Sequence, residues 1–141
     1  MMFRFFPLII SYLLLFSVLK AEIVNQIVIS GNKRVSQETV KIYGDIKINQ
    51  DYKEKDLNLI LNNLYQTNFF EDVKVSLTNG TLRIVLKEYP SINQLIIIGE
   101  KSKKYKEQIK KVIYTKEKGS LIKSRLGNDI ELIESLYSSL G

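Results

Sequence analysis

From Val73 to Lys87 apolar and polar residues alternate. Val73, Val75 and Leu77 are spaced by Lys74, Ser76 and Thr78; Asn79-Gly80 follows; then Leu82, Ile84 and Leu86 are interleaved with Arg83, Val85 and Lys87. A period of two belongs to a strand with one buried face, and Asn-Gly suits a type I′ turn because both its residues tolerate positive φ. The pattern predicts a hairpin with one face buried under helices. Upstream the period lengthens. Leu57, Ile60, Leu61, Leu64 and Tyr65 recur at helical spacing, with Asn58, Asn62 and Asn63 opposite, which predicts a helix from about Glu54 to Gln66. Residues 23–30 are β-branched and apolar, a strand closed by Gly31-Asn32. Ser36 is placed to cap a short helix running to Tyr43 and stopped by Gly44, and 45–53 form a loop. The order is β-α-α-β-β, an α+β module: a three-stranded mixed sheet with two helices on one face.

The chain then repeats itself. V-N-Q-I-V-I-S-G-N-K at 24–33 returns as I-N-Q-L-I-I-I-G-E-K at 92–101, and L-N-N-L-Y at 61–65 returns as I-E-S-L-Y at 133–137. Self-similarity of this kind marks stacked modules. The second copy predicts a strand over Ser91–Ile98, a helix from Ser102 or Lys103 to about Tyr114, a loop over 116–120, and a long helix from Leu121 to Leu140 ended by Gly141. Gly127 is a weak point within that helix, costing roughly 1 kcal/mol against Ala. No second hairpin follows. The division expected is a complete module at 22–90 and a second at 91–141, truncated before its hairpin. At roughly 25 cal/mol per Å² of uncovered apolar surface, that second half lacks several kcal/mol and should be loose or associate with something.

Residues 1–21 are of another kind. Arg4 precedes an apolar run, Phe5–Leu19, interrupted only by Pro7, Ser11 and Ser17, and Ala21 follows. The run is shorter than the roughly 20 residues of a membrane span and fits a secretory signal peptide. The net charge of +6 falls to +4 from Glu22 onward, with 19 basic against 15 acidic residues. The basic residues are mainly Lys and scattered, with no aromatic-interleaved stripe, so nucleic acid is not an expected partner. The densest run, Lys101–Lys111, reads as the wet face of a helix. Cys and His are absent, which removes thiol nucleophiles, imidazole bases and the usual zinc and haem ligands.

The segments I-V-I-S-G-N-K-R-V-S (27–36), L-N-N-L-Y-Q-T-N-F-F-E-D-V (61–73), the Asn-Gly hairpin and E-Y-P-S-I-N-Q-L-I-I-I-G (88–99) resemble the POTRA domains of the BamA family of outer-membrane protein assembly factors. The likeness covers essentially all of 22–141 and departs at Glu100, where Asn is common, and in the missing second hairpin. It implies a periplasmic scaffold on the inner side of the outer membrane, exported through the signal peptide and joined to that membrane by a β-barrel absent from this chain. In such domains the third strand lies between the other two, so the second is an edge. Here that edge is Glu71, Asp72, Val73, Lys74, Val75, Ser76, Leu77 and Thr78. Its unpaired backbone groups would bind unfolded β-barrel clients and assembly-machine lipoproteins by strand addition, while outward Lys74 and Ser76 keep it from self-pairing. Other POTRA proteins give the alternatives: a membrane-anchored division protein of the FtsQ kind, or a two-partner secretion or TamA-like translocator.

Glu88, Tyr89 and Pro90 read as an inter-module hinge, since Pro90 restricts Tyr89 to extended geometry. Phe69 and Phe70 fit a core plug at a helix–strand corner better than a peptide site, and Asp72 is a candidate partner for Arg34. Asp45, Asp51, Glu54 and Asp56 lack calcium-loop spacing and sit among Lys47, Lys53 and Lys55, so no metal is expected. No catalytic residue and no cofactor site is expected, because no carboxylates pair at acid–base spacing. The mature protein is expected to begin at Glu22. Mass spectrometry of the exported chain checks this, and a protein still starting at Met1 contradicts it.

Overall fold

The computed structural model describes residues 22–140, so the expectations for the leader at 1–21 and for Gly141 lie outside the described residues. Its elements are β1 (Glu22–Ile23), β2 (Gln26–Ser30), α1 (Gln37–Gly44), β3 (Asp51–Tyr52), α2 (Glu54–Gln66), β4 (Phe70–Thr78), β5 (Thr81–Glu88), α3 (Lys103–Val112) and α4 (Arg125–Leu140). The main sheet has the order β2-β5-β4, with β2 parallel and β4 antiparallel to the central β5. Helices α1 and α2 cover one face. Ile29, Val40, Ile60, Leu64, Phe70, Val73, Leu82, Ile84 and Leu86 form the core between them. The opposite face carries Lys74, Ser76, Thr78, Arg83, Val85 and Lys87, all exposed. The alternation along the hairpin is thus its partition between helices and water.

Local chemistry accounts for the element ends. Ser36 Oγ accepts from the Thr39 N–H at 3.1 Å and caps α1. Asn79 and Gly80 adopt φ of 51° and 73°, the two positive values of a type I′ turn. Gly31, at φ 84°, lets the β2–α1 loop pass against β5: a Cβ there would stand 1.9 Å from the Leu86 carbonyl oxygen. Phe70 is fully buried, and Phe69 packs edge-on against it and against Tyr43, so the aromatic pair is the corner plug its position suggested.

Four expectations need correction. The strand at 23–30 is two pieces. Val24, wholly buried, donates to the Gln50 carbonyl, while Asn25 and Gln26 both donate to Gly80, so the chain changes partner midway. Correspondingly 45–53 is not all loop, because Asp51–Tyr52 pairs antiparallel with Glu22–Ile23. The second-copy strand at 91–98 has no ladder; only Ser91 forms a bridge, with Ser120. An apolar run becomes a strand only when another strand satisfies its backbone groups, and the described residues after Pro90 supply none. Finally, the last helix starts at Arg125 rather than Leu121. The loop before it is held through the Leu121 N–H, which donates to the Pro90 carbonyl at 2.7 Å.

The second half has a sparse interior. Beyond Pro90 the described residues bury Ile109, Ile113 and the carboxylate of Asp129. Asp129 accepts from the N–H groups of Tyr114 (2.5 Å) and Thr115 (3.1 Å), tying the end of α3 to α4. Burial pushes its carboxyl up, but the Thr115 side chain and these two N–H donors outweigh that and hold it below the ordinary aspartate range. Ser102 caps α3 as Ser36 caps α1. Gly99 keeps the left-handed φ of its counterpart Gly31, 91°, yet nothing lies within 4 Å of where its Cβ would be.

The two glycines should respond differently to Ala. Gly31→Ala drives a methyl into backbone and should cost about 3 kcal/mol or more, whereas Gly99→Ala should cost only the left-handed strain of about 1–2 kcal/mol. Urea unfolding of the two variants checks the contrast; equal losses would contradict it.

Candidate functional site

The hairpin register determines which backbone groups of β4 remain free. Thr78 pairs with Thr81 across the two-residue turn, Ser76 with Arg83, Lys74 with Val85 and Asp72 with Lys87. In an antiparallel ladder hydrogen-bonded and non-bonded pairs alternate, and the pair closing a two-residue turn is bonded. The even-numbered residues therefore spend their N–H and C=O groups on β5, and those of Val73, Val75 and Leu77 point outward along the rim. Every member of the predicted edge, Glu71 to Thr78, lies on this one strand, and β4 is the sheet's outer member on that side.

The rim has a built beginning. The pairing slips between Phe70 and Asp72, leaving Glu71 as the extra residue of a bulge. Glu71 reaches back to Lys87 at 2.9 Å, and Asp72 lies 3.8 Å from Lys74. The Glu71 carboxylate hydrogen-bonds the Lys87 ammonium and raises its pKa; as exposed pairs, both add little stability. Tyr65, in the last turn of α2, donates its hydroxyl proton to Asp72 Oδ1 (3.2 Å) and accepts from the Val73 N–H (3.1 Å). Leu57 and Leu61 precede Tyr65 at steps of four along α2, so they share its side of the helix. Both are only partly buried, as are Val75 and Leu77. The helix side of the rim thus offers a partly exposed apolar strip, and the other side is polar. The opposite rim, β2, is shorter, and the Gln37 amide lies 3.4 Å from its Ile29 carbonyl.

The predicted hinge is bonded to both sides of the joint. Glu88, whose side chain is only 5% exposed, accepts from the N–H groups of Lys33 (2.7 Å), Arg34 (3.0 Å) and Val35 (3.0 Å) and from Arg34 Nε (3.1 Å). Arg34 therefore pairs with Glu88 and not with Asp72. Its guanidinium also donates to the Tyr89 carbonyl (2.9 Å), and the Tyr89 N–H donates to the Phe69 carbonyl (2.9 Å). On the far side Pro90 accepts from Leu121, and Arg125 donates to the Asn68 side chain. Sequence reasoning missed the Glu88 nest and the Tyr65 bridge. The one spans more than fifty residues, and the other hides in a residue that fits the helix stripe.

A family model for POTRA, described as surface antigen variable number repeat, matches residues 22–88. Residues 22–88 form a POTRA domain. The outer membrane protein assembly factor BamA of Neorickettsia risticii is 31% identical over 117 residues, 83% of this chain and 16% of that protein. The BamA of Neisseria meningitidis serogroup B is 33% identical over 78 residues, 55% of this chain and 10% of that protein. The chain thus spans a small fraction of the length of either relative, and its likeness is to a BamA-type POTRA segment. The N-terminal domain of Omp85 from Thermosynechococcus elongatus has the same fold, with a TM-score of 0.58 at 17% identity, covering 85% of this chain and 52% of that one.

The Glu88 nest gives the POTRA domain an acid sensitivity. Burial pushes this carboxyl up, but the Val35, Lys33 and Arg34 N–H groups and the Arg34 charge outweigh it and hold it below the ordinary glutamate range. A depressed folded-state pKa means that the stabilisation is complete above about pH 4.3, the unfolded value, and is lost as pH falls through the folded value. Glu88→Gln should cost about 2–3 kcal/mol at neutral pH and flatten the acid limb of a stability–pH profile. Thermal melts from pH 7 to pH 3 check both; an unchanged acid limb would count against the nest.

Proposed function

We propose that this chain is a non-enzymatic periplasmic scaffold of an outer-membrane protein assembly factor, with β4 of its POTRA domain as the strand that receives clients. Residues 1–21 direct export, residues 91–141 are the opening half of a second POTRA module, and attachment to the outer membrane runs through a β-barrel outside these residues. The BamA relatives support the setting. The internal repeat, with Ser102 capping its helix as Ser36 does and Gly99 left-handed like Gly31, supports the second module.

The observation that carries client binding is the rim of β4. Val75 and Leu77 direct both N–H and C=O outward, and no side chain or loop among the described residues bonds to their N–H groups. An extended chain laid there becomes a fourth strand. Its backbone pairs without reading side chains, so one rim serves many sequences. The partly exposed strip of Val75, Leu77, Leu57 and Leu61 selects a chain with apolar residues on alternate positions, the pattern of unfolded β-barrel strands. The same rim accepts an exposed strand of an accessory lipoprotein.

Bonds across the joint support a stiff role for Glu88, Tyr89 and Pro90. They hold the second half at a fixed bearing to the rim, so that successive modules present their edges in register.

Val75→Pro tests the rim. It deletes one outward donor and leaves the β4–β5 bonds in place, since proline is tolerated where the missing N–H faces solvent. Binding of an amphipathic peptide of about ten residues, the length of a barrel strand, should weaken about tenfold with the far-UV circular dichroism unchanged. Undiminished binding by a folded variant overturns the assignment.

A further inference from the structure

The rim of β4 is not uniform along its length. Its first outward donor, the N–H of Val73, is already occupied by the Tyr65 hydroxyl oxygen at 3.1 Å. The carbonyl oxygen of an added strand would stand at about 2.9 Å from the same nitrogen. The phenol oxygen therefore occupies the lane in which a fourth strand would run, about 4.8 Å out from β4. Its single proton is committed to Asp72 Oδ1, so the hydroxyl turns a lone pair toward Val73 and satisfies it as a strand carbonyl would. Immediately before this point lies the bulge at Glu71, where the ladder itself is broken. Beyond it, Val75 and Leu77 are open.

We propose that Tyr65 is the stop that fixes the register and length of a strand added to β4. This rests on β4 being the client-binding rim. Client residues pair opposite Val75 and Leu77 and are turned aside at Val73. Each outward residue of an antiparallel ladder exchanges two backbone bonds, so the client is held by about four, a short and reversible grip. The stop also sets the phase of the client. With the frame fixed from Val75, one alternate set of its side chains falls on the apolar strip and the other on the polar face, and a slip by one residue would exchange them.

The test uses the full chain labelled for amide hydrogen exchange, with a peptide of about ten residues alternating valine and threonine. In the wild type the peptide should add protection at Val75 and Leu77 and none at Val73. Tyr65→Leu clears the lane while keeping the apolar stem in the α2 stripe; Tyr65→Phe removes only the bond. In the Leu variant the peptide should protect Val73 as well and bind about fivefold tighter, the worth of one further hydrogen bond. The Phe variant should fall between, with its free Val73 amide exchanging faster than in the wild type. If the peptide covers Val75 and Leu77 but leaves Val73 bare in the Leu variant, or protects Val73 in the wild type, the stop is wrong and the rim stands. If the peptide protects none of the three residues in any of these proteins, the rim fails and the stop falls with it.

Discussion

The first domain is closed by one buried carboxylate. Glu88 ends the central strand, and its side chain collects three consecutive backbone N–H groups and a guanidinium from the segment between β2 and α1. A charge removed from water is tolerable only with such a complement of donors. The bonds therefore do more than add stability. They fix the end of the central strand β5 against the loop leaving β2. They also hold Arg34 over the Tyr89 carbonyl. The cluster thus ties the end of β5, the loop leaving β2 and the Tyr89 linker together, and Gly31 lets the loop backbone lie against Leu86.

What the chain revealed in advance was what neighbouring residues decide. The hairpin and α2 carry strict periodicities, and Asn79-Gly80 forces its turn, so their bounds were predictable to within a residue or so. The β1–β3 ribbon was not, because paired segments of two residues have no period to detect. Residues 91–98 misled in the opposite direction. Ile96, Ile97 and Ile98 have the composition of a strand, but a ladder is a property of two segments, and β propensity reports on only one. The order of the strands, and so the identity of the rim, came from family resemblance and not from the pattern, since alternation shows which face is buried and not which strand is outermost. Asp72 was only a candidate partner for Arg34, and the fold chose otherwise for a related reason: Glu88 is 54 residues away and Asp72 nearer in sequence, but separation along the chain does not show which carboxylate the fold brings close.

An open strand edge invites aggregation, and this one is managed by geometry more than by charge. The bulge at Glu71 bends its start, Tyr65 closes its first donor, and Lys74 stands exposed on its outer face. What remains open is two outward residues long. A rim that short is poor at pairing indefinitely with copies of itself.

The vacant side of Gly99 has a wider meaning. In the first copy the matching glycine backs onto a strand of its own domain; in the second, the same left-handed residue faces open space beside the apolar groove of Leu95, Ile97, Ile109, Ile113, Ile133 and Tyr137, about 450 Å³. At Gly99 itself the rim of that groove carries no Cβ and the space beside it is open. Among the described residues, the hollow leaves apolar side chains of the second half without the layer of strand that covers their counterparts in the first.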